Sequence, residues 1–378
     1  MSEWKKVKFL DVISLNPRIS LEKGVEYPFV EMSNAVPGAR RPEKDVYQKY
    51  SGGGAKFEEG DTVVARIEPC LQNGKGFQCS YKKGFGSTEF LVFRPMNIKE
   101  MDYNFLYYYM GQQSIREAMA KTMVGASGRQ RVNNAVFNDL QIHLPPLSIQ
   151  QDIATILSRY DSLIENYQKQ IKLLEEAAQR LYKEWFVDLH FPGHENTKIV
   201  DGVPEGWEKK NINNIITFHR GYDLTHKEFV DGPYPVVGST SIIGSHHKYK
   251  IEGPGIVTGR SGSLGVYQLI WENYWPHNTS LYISDFKGHD VFYIYCLLKT
   301  VDFTTLNSGG AIPSLNRNTL SNVPVIEPPK DLQQSFSRKS MPLFKQQKVL
   351  QSQIRLLTEA RDRLLPKLMS GEIEVGKE

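Results

Sequence analysis

Two long stretches of the chain carry apolar residues at alternating steps of three and four, and they lie half a chain apart. The first stretch follows Ser148 and includes Ile153 and Leu181. This spacing predicts an amphipathic helix with a coiled-coil seam. A helix from Ser148 to about Phe186 would be ~55–60 Å long at 1.5 Å per residue. Ser148 is the expected N-cap, and Gln151 would complete a capping box.

The second stretch repeats the stripe less regularly from Phe336 onwards. Pro342 is expected to disturb its first turns and Pro366 to weaken its end, because proline has no amide proton to donate. Apolar or aromatic residues recur at every seventh position of both stretches. The residues expected in the seam, and in docking to partner proteins, are Ile153, Tyr160, Tyr167, Leu174, Leu181, Phe336, Leu343, Leu350, Leu357 and Leu364.

The same short junction precedes both stripes. LPPLSIQQ occupies residues 144–151 and EPPKDLQQ occupies residues 327–334, so the paired prolines recur at an offset of 328 − 145 = 183. The offset continues without a gap into IKLLEEAAQRL (171–181) and IRLLTEARDRL (354–364). A match over this length indicates an internal duplication.

The regions before the two helices repeat less cleanly. YPFV (27–30) is echoed by YPVV (234–237), and GDTVVAR, which ends at Arg66, is echoed by GPGIVTGR, which ends at Arg260. The offset falls from 234 − 27 = 207 to 183, so the second copy has shorter loops. The helices diverged little and the globular regions diverged a lot. We expect the two globular regions to perform two versions of one task on a common frame.

This order predicts an α+β fold, with two pseudo-symmetric globular α/β domains joined by two long antiparallel coiled-coil helices. The expected boundaries are 1–146 and 191–328 for the globular regions (the latter with a linker), 147–190 for the first helix, and 329–378 for the second helix and tail. An antiparallel pair would space the two domains rigidly, which suits a linear, periodic target such as duplex DNA. The alternative is two unrelated amphipathic helices, each packed on its own domain.

Short strands and buried helices are expected inside the globular regions. TVVARI (62–67), FLVFRP (90–95) and GIVTGR (255–260) are rich in β-branched and aromatic residues, which favours strands. Residues 103–119 and VFYIYCLLKTV (291–301) have the apolar content of buried helices.

Composition and charge exclude some classes of protein. The 378 residues are 40% hydrophobic and 23% charged, which is typical of a folded chain. No apolar run approaches the ~20 residues that span a bilayer, and no signal peptide is visible. The three cysteines lack a CxxC pair, which favours a reducing cytoplasm over disulfides or a zinc site. The formal net charge of +4 permits binding to nucleic acid without requiring it.

Basic and small polar residues stand in matched glycine-containing loops of both halves. Arg66 and Arg260 end equivalent strands, and VGASGRQRVN (124–133) places two arginines just before the first junction. Arginine reads guanine edges and contacts phosphates. Each residue alone is also explained as a solvated surface residue, but recurrence in both halves favours a function. The residues expected to contact DNA are Arg66, Asn73, Lys75, Arg129, Arg131, Arg220, Arg260, Ser261 and Ser263.

Sequence motifs of catalysis were not found. The Pro-Pro pairs follow Leu144 and Glu327, so neither belongs to the Asn-Pro-Pro-aromatic run of adenine methylases. The sequence has no GxxxxGK[ST], HExxH or GxSxG motif. HFPGH (190–194) contains proline and glycine, which disfavours a helical metal-binding pair. We therefore expect a non-catalytic chain that binds neither a metal nor a cofactor.

Several stretches are typical of one known family. They are the tryptophan-led starts at Trp4 and Trp207, GSTEF (86–90), LPPLSIQQDIA (144–154), FVDLHFPGHENT (186–197), VPEGWE (203–208) and PKLMSGEI (366–373). On these stretches the chain resembles the specificity (S) subunit of type I restriction–modification systems over essentially its full length. One departure is that TEF of the first half becomes NTS (278–280) in the second, so a role of Glu89 does not transfer.

The resemblance implies a function. Each globular domain would read one half of a split double-stranded DNA target, and the helices would fix the gap between the halves. The helices would also dock two methyltransferase subunits, which carry S-adenosylmethionine, and restriction–translocase subunits would join them. Two alternatives stay open: a repeat scaffold that joins two protein partners without contacting DNA, and an enzyme with an unrecognised site.

Overall fold

The computed structural model describes residues 4–260, 265–301 and 322–375. The chain forms two compact units. Unit 1 comprises Met1–Gln168 and Ser352–Glu378, and unit 2 comprises Lys169–Gln351. Each unit therefore contains one globular region and a part of both long helices.

Unit 1 is built from short strands and four short helices before the first long helix. Its helices are α1 (Phe9–Val12), α2 (Tyr103–Met110), α3 (Gln113–Ala120) and α4 (Val136–Asp139). Its strands are β1 (Lys5–Lys8), β2 (Ile13–Leu15), β3 (Glu26–Val30), β4 (Tyr47–Lys49), β5 (Ala55–Glu58), β6 (Thr62–Ala65), β7 (Gly76–Gln78), β8 (Lys83–Gly86), β9 (Phe90–Pro95) and β10 (Gln141–Leu144). The long helix α5 (Leu147–Phe186) starts in unit 1 and ends in unit 2.

Unit 2 repeats this plan. Its strands are β11 (Ile199–Val200), β12 (Val203–Pro204), β13 (Glu208–Asn211), β14 (Thr217–Arg220), β15 (Tyr234–Val237), β16 (Ile242–His246), β17 (Gly255–Gly259), β18 (Tyr267–Ile270), β19 (Trp275–Pro276), β20 (Ser280–Asp285) and β21 (Pro324–Glu327). Its helices are α6 (Ile212–Ile215) and α7 (Val291–Thr300), with 3-10 turns at His194–Asn196 and His226–Glu228. The second long helix, α8 (Lys330–Met369), starts in unit 2 and ends in unit 1.

The strand order confirms the duplication. The main antiparallel sheet has the order β2-β9-β6-β7 in unit 1 and β14-β20-β17-β18 in unit 2. A parallel pair accompanies each sheet, β3 with β8 and β15 with β19. In each unit an early strand pairs with the strand before the long helix, β1 with β10 and β13 with β21. The fold is therefore α+β and internally repeated, as the sequence predicts.

The prediction of one helix over residues 103–119 is wrong, because this segment forms the two helices α2 and α3. Asp102 caps α2 by accepting hydrogen bonds from two backbone amides, and α2 ends at Met110 before α3 begins at Gln113. Asp290 caps α7 in the same way. Glycine and the extended Gln112 separate α2 from α3, and the apolar pattern does not reveal this break.

The two long helices have the predicted offset of 183 at both ends, since 330 − 147 and 369 − 186 both equal 183. α8 continues through Pro342, so the expected disturbance does not break it. The flanking Ser340 and Phe344 are buried, and this packing holds the helix where the proline removes a hydrogen bond.

The predicted cap at Ser148 is also wrong, because α5 already begins at Leu147. The junction is held instead by the first glutamine of each pair, Gln150 or Gln333, and both are fully buried. Gln150 donates to the Pro145 carbonyl at 2.8 Å, and Gln333 donates to the Pro328 carbonyl at 2.7 Å. The repeated junction sequence therefore places the same buried glutamine hydrogen bond at the start of each long helix.

In the unit 1 part of α5, the buried stripe is shifted by about one residue from the predicted seam. The buried stripe of its unit 1 part runs through Ile153, Leu157, Asp161 and Ile164, and Tyr160 is half-buried. The stripe contains a charged residue, which an apolar pattern assigns to the outside. Of the ten expected seam residues, three are buried, namely Ile153, Phe336 and Leu350, and seven are half-buried. Those seven are Tyr160, Tyr167, Leu174, Leu181, Leu343, Leu357 and Leu364.

Each core joins one long helix start to the other long helix end. In unit 1, Ile153 and Leu157 share a cluster with Leu368 and Met369. In unit 2, the rings of Tyr182 and Phe336 lie 5.8 Å apart between centroids. This is antiparallel packing of the two helices inside each unit. Among the described residues, no helix combines the length and the apolar content that a membrane span needs.

Candidate nucleic-acid interface

In both units the main sheet presents the same edge. In unit 1, β6 ends at Ala65, which pairs with Phe90 at the start of β9. The next residue, Arg66, donates its backbone N–H to the Glu89 carbonyl at 2.9 Å. This hydrogen bond positions Arg66 where the sheet ends and the loops begin.

The unit 2 edge has matching geometry. Gly259 at the end of β17 pairs with Ser280 at the start of β20, and Arg260 donates its backbone N–H to the Thr279 carbonyl at 3.2 Å. Arg66 and Arg260 therefore occupy equivalent positions, as predicted from the sequence. Their contact with DNA stays a prediction.

A groove of about 760 Å³ opens beside Arg66. Three cationic side chains line it, Arg18, Lys56 and Arg66, together with the hydroxyls of Ser20 and Thr88. None of the described residues in its lining carries a carboxylate. Arg66 donates from Nη2 to the Val132 carbonyl at 3.2 Å, and its buried Nε has no hydrogen-bond partner among the described residues. Positive charge in a groove of this size fits a negatively charged ligand with a phosphate backbone.

The loop that carries Arg129 and Arg131 reaches the same edge. Val132 donates its backbone N–H to the Arg66 carbonyl at 2.9 Å, so this loop runs along the end of β6. Arg131 donates to both carboxylate oxygens of Glu89 at distances of 2.6–2.9 Å. These bonds lower the pKa of Glu89 and orient the guanidinium, which stays 47% exposed. Arg129 is exposed in the turn of the loop.

Asn73 and Lys75 line a different cavity of about 550 Å³, next to the end of α8. Lys75 donates from Nζ to the Met32 carbonyl at 2.9 Å, so its ammonium group already has a partner inside unit 1. The structure therefore does not bring these two side chains into the groove of Arg66.

Different side chains occupy the unit 2 edge. Arg220 at the end of β14 is 49% exposed and lies 3.6 Å from Asp223. Asn278 donates its side-chain amide to the same carboxylate. Arg260 is exposed. Ser261 and Ser263, which the sequence suggested as DNA contacts, lie outside the described residues.

Arg18, Lys56 and Asn278 were missed by the reasoning from sequence. Arg18 and Lys56 belong to no motif and reach the groove only through the fold. Asn278 had a signal, because it lies in the NTS stretch that replaces TEF. Arginine forks suit guanine edges and phosphates, and asparagine amides suit adenine, so both edges have the donors that DNA recognition uses.

These features define a class of protein in which two repeated α+β units present basic side chains at the same sheet edge. The chain belongs to the type I restriction modification DNA specificity domain family, which it matches over residues 1–176 and again over residues 204–351.

Named relatives agree with this assignment. The chain is 28% identical over 299 residues to the type I restriction enzyme MjaIX specificity subunit of Methanocaldococcus jannaschii, covering 72% of this chain and 69% of the relative. It is 22% identical to the HindI specificity subunit of Haemophilus influenzae, over 99% of this chain and 100% of the relative.

A solved structure supports the fold. The S subunit of a type I restriction–modification system from M. genitalium superposes with a TM-score of 0.57 at 18% identity, covering 99% of this chain and 97% of that chain. At this level of identity the likeness concerns the arrangement of the chain alone.

Proposed function

We propose that this chain is the DNA-recognition subunit of a type I restriction–modification complex, and that each unit reads one half of a split target. The observation that carries the proposal is the repeated sheet edge. The backbone hydrogen bond behind Arg66 recurs behind Arg260, and the side chains around the two arginines differ. The same sheet edge with different hydrogen-bond donors in each unit suits the recognition of two different half-sites.

Charge and geometry divide the work at each edge. The cations of the unit 1 groove supply attraction to phosphates, which is independent of base sequence and sensitive to salt. Oriented side chains supply discrimination, at about 1–3 kcal/mol for a good bidentate contact to a base. Arg131 held by Glu89, and Asn278 held by Asp223, are oriented in this sense.

The outer faces of the long helices support docking of two copies of one partner. Leu173 on α5 is 63% exposed, and its repeat Leu356 on α8 is 55% exposed. The residues around them also match at the offset of 183. Lys172, Leu173, Glu176 and Arg180 on α5 correspond to Arg355, Leu356, Glu359 and Arg363 on α8. We call these the α5 patch and the α8 patch.

Two matching patches fit two copies of the same protein, and an exposed apolar residue rimmed by charges is typical of such contacts. We infer that the partners are methyltransferase subunits, which would carry S-adenosylmethionine. Restriction–translocase subunits would then join that core. In this proposal the chain supplies specificity and its partners supply catalysis.

Methylome mapping tests the recognition role. The chain is expressed with its methyltransferase in a host without type I systems, and N6-methyladenine is mapped on native DNA. We expect a split motif with a fixed gap that disappears when the chain is omitted. Modification of the same sites without the chain would instead support a scaffold that does not contact DNA.

Native mass spectrometry tests the docking role. Leu173→Arg and Leu356→Arg are each expected to remove one methyltransferase copy by weakening its binding about tenfold or more, and the double variant to remove both. Leu163→Arg is the matched control, because Leu163 is an exposed apolar residue of α5 whose repeat position holds Gln346. Loss of both copies from either single variant, or from the control, would contradict two independent patches.

A further inference from the structure

Three polar side chains meet inside unit 1, where α2, α5 and α8 pack together. Arg361 donates from Nη1 to Asp161 at 2.7 Å and to the Gly38 carbonyl at 2.9 Å. The Tyr108 hydroxyl donates to the other carboxylate oxygen of Asp161 at 2.5 Å. The side chains of Asp161 and Arg361 are only 4% and 10% exposed. We call Tyr108, Asp161 and Arg361 the polar cluster.

Unit 2 has apolar residues at the same three places. The helix offset assigns Asp161 to Phe344 (161 + 183) and Arg361 to Ala178 (361 − 183). The capping residues Asp102 and Asp290 set an offset of 188 for α2 and α7, so Cys296 corresponds to Tyr108. Phe344, Ala178 and Cys296 are all at most 1% exposed.

The difference is informative because α5 and α8 are repeats of each other. Two copies of this chain could in principle pair α5 with α5 and α8 with α8, in the same antiparallel geometry. The offset would then place Asp161 opposite Ala178, and Arg361 opposite Phe344. Each of these contacts would bury Asp161 or Arg361 opposite an apolar residue, although Arg361 would retain its ion pair with Asp362, whose side chain is 58% exposed. Burial of a charge away from its buried counter-charge is strongly unfavourable.

We propose that the polar cluster determines which helix pairs with which, so that α5 accepts α8 and rejects the α5 of a second copy. Stability alone does not explain the cluster, since well-packed apolar residues often replace a buried ion pair without loss and unit 2 has apolar residues at these positions. Polar residues in coiled-coil seams select partner helices in the same way, because a wrong pairing buries a polar group without its partner.

Two variants of the intact chain remove the difference between the polar cluster of unit 1 and the apolar residues at the matching positions of unit 2. Tyr108→Cys with Asp161→Phe and Arg361→Ala gives unit 1 the apolar set of unit 2. Ala178→Arg with Phe344→Asp gives unit 2 a second ion pair. In either variant, like and unlike helix pairs offer the same contacts between helix positions 161, 178, 344 and 361. The charge swap Asp161→Arg with Arg361→Asp is the control, because like pairing still buries unpaired charge.

The experiment mixes isotope-labelled and unlabelled chains in urea, refolds them and measures dimers by light scattering. Lysine cross-links between labelled and unlabelled α5 identify like pairing, since Lys169 and Lys172 would lie close together across an α5–α5 contact. We expect either variant to raise the ratio of like-paired dimer to monomer at least about tenfold, and the charge swap to match the wild type.

A ratio equal to that of the wild type in a folded variant overturns the proposal, and so does a rise in the charge swap. Either variant suffices if the other does not fold, because both predict the same change. The measurement involves neither DNA nor a methyltransferase, so its outcome is independent of the proposed function.

Discussion

Unit 1 and unit 2 share a frame and differ in where they place charge. The strand order of the main sheet, the parallel strand pair and the buried glutamine at the helix start are the same in both. Unit 1 buries an ion pair between its helices, where unit 2 has Phe344 and Ala178. At the sheet edge, unit 1 has Glu89 where unit 2 has Thr279. Backbone pairing and apolar packing thus preserved the fold, and polar groups took on separate tasks in each copy.

The largest expected effect comes from breaking the buried pair of unit 1. Arg361→Met leaves Asp161 buried without its cation, and we expect it to lower the free energy of unfolding by about 3–5 kcal/mol. Urea unfolding of the intact chain measures this change. Arg363→Met is the matched control, because Arg363 is 76% exposed and its ion pair is with Glu359, one turn away on the surface of α8. Its expected loss is about 0.5 kcal/mol or less. Equal losses would show that the buried pair is no more than a surface contact.

The junction glutamines give a smaller effect that separates the two units. Gln150 satisfies three backbone groups, of Glu100, Asp102 and Pro145. Gln150→Ala is expected to lower the unfolding free energy by about 1–3 kcal/mol, because buried polar groups lose their partners. Gln333 bonds one backbone group and His289, so Gln333→Ala is expected to lower the unfolding free energy by less.

The neighbouring glutamines provide the controls for this comparison. Gln151 and Gln334 are exposed, and their replacement by alanine is expected to change stability by about 0.5 kcal/mol or less. Alanine favours a helix more than glutamine does, so helix propensity predicts no loss in these variants. A loss as large as that of Gln150→Ala would therefore contradict the assignment of the effect to the buried hydrogen bonds.

The smallest expected effect concerns the charge of the unit 1 edge. Glu89→Gln releases Arg131 from its carboxylate, so binding to non-specific DNA is expected to strengthen and its salt slope to steepen by up to about 0.9. Thr279→Gln at the matching place in unit 2 changes no charge and should leave the slope as it is. Titrations at several salt concentrations, on the complex with methyltransferase, measure both. Because Arg131 lowers the pKa of Glu89, the effect should be constant around neutral pH. An unchanged slope for Glu89→Gln would place Arg131 away from DNA.

The sequence predicted features that repeat along the chain, and it missed features created by distant contacts. The offset of 183 located both long helices, and the strand-ending Arg66 and Arg260 proved equivalent. Asp161 was not recognised as a core residue, because a charge in a helix reads as exposed until its partner 200 positions away is known. Arg18 lies in the loop after β2 and Lys56 lies in β5, so only the fold brings the two side chains to the same groove.

The central claim is that each unit reads its own half of a split target, and single-residue variants test it most directly. Methylomes are mapped for the wild type, for Arg131→Ala and for Asn278→Ala, each expressed with the same methyltransferase. We expect Arg131→Ala to relax or abolish base preference in one half of the motif, and Asn278→Ala to do so only in the other half, with the gap unchanged. Relaxation of both halves by one variant, or of the same half by both, would contradict the assignment of one half-site to each unit.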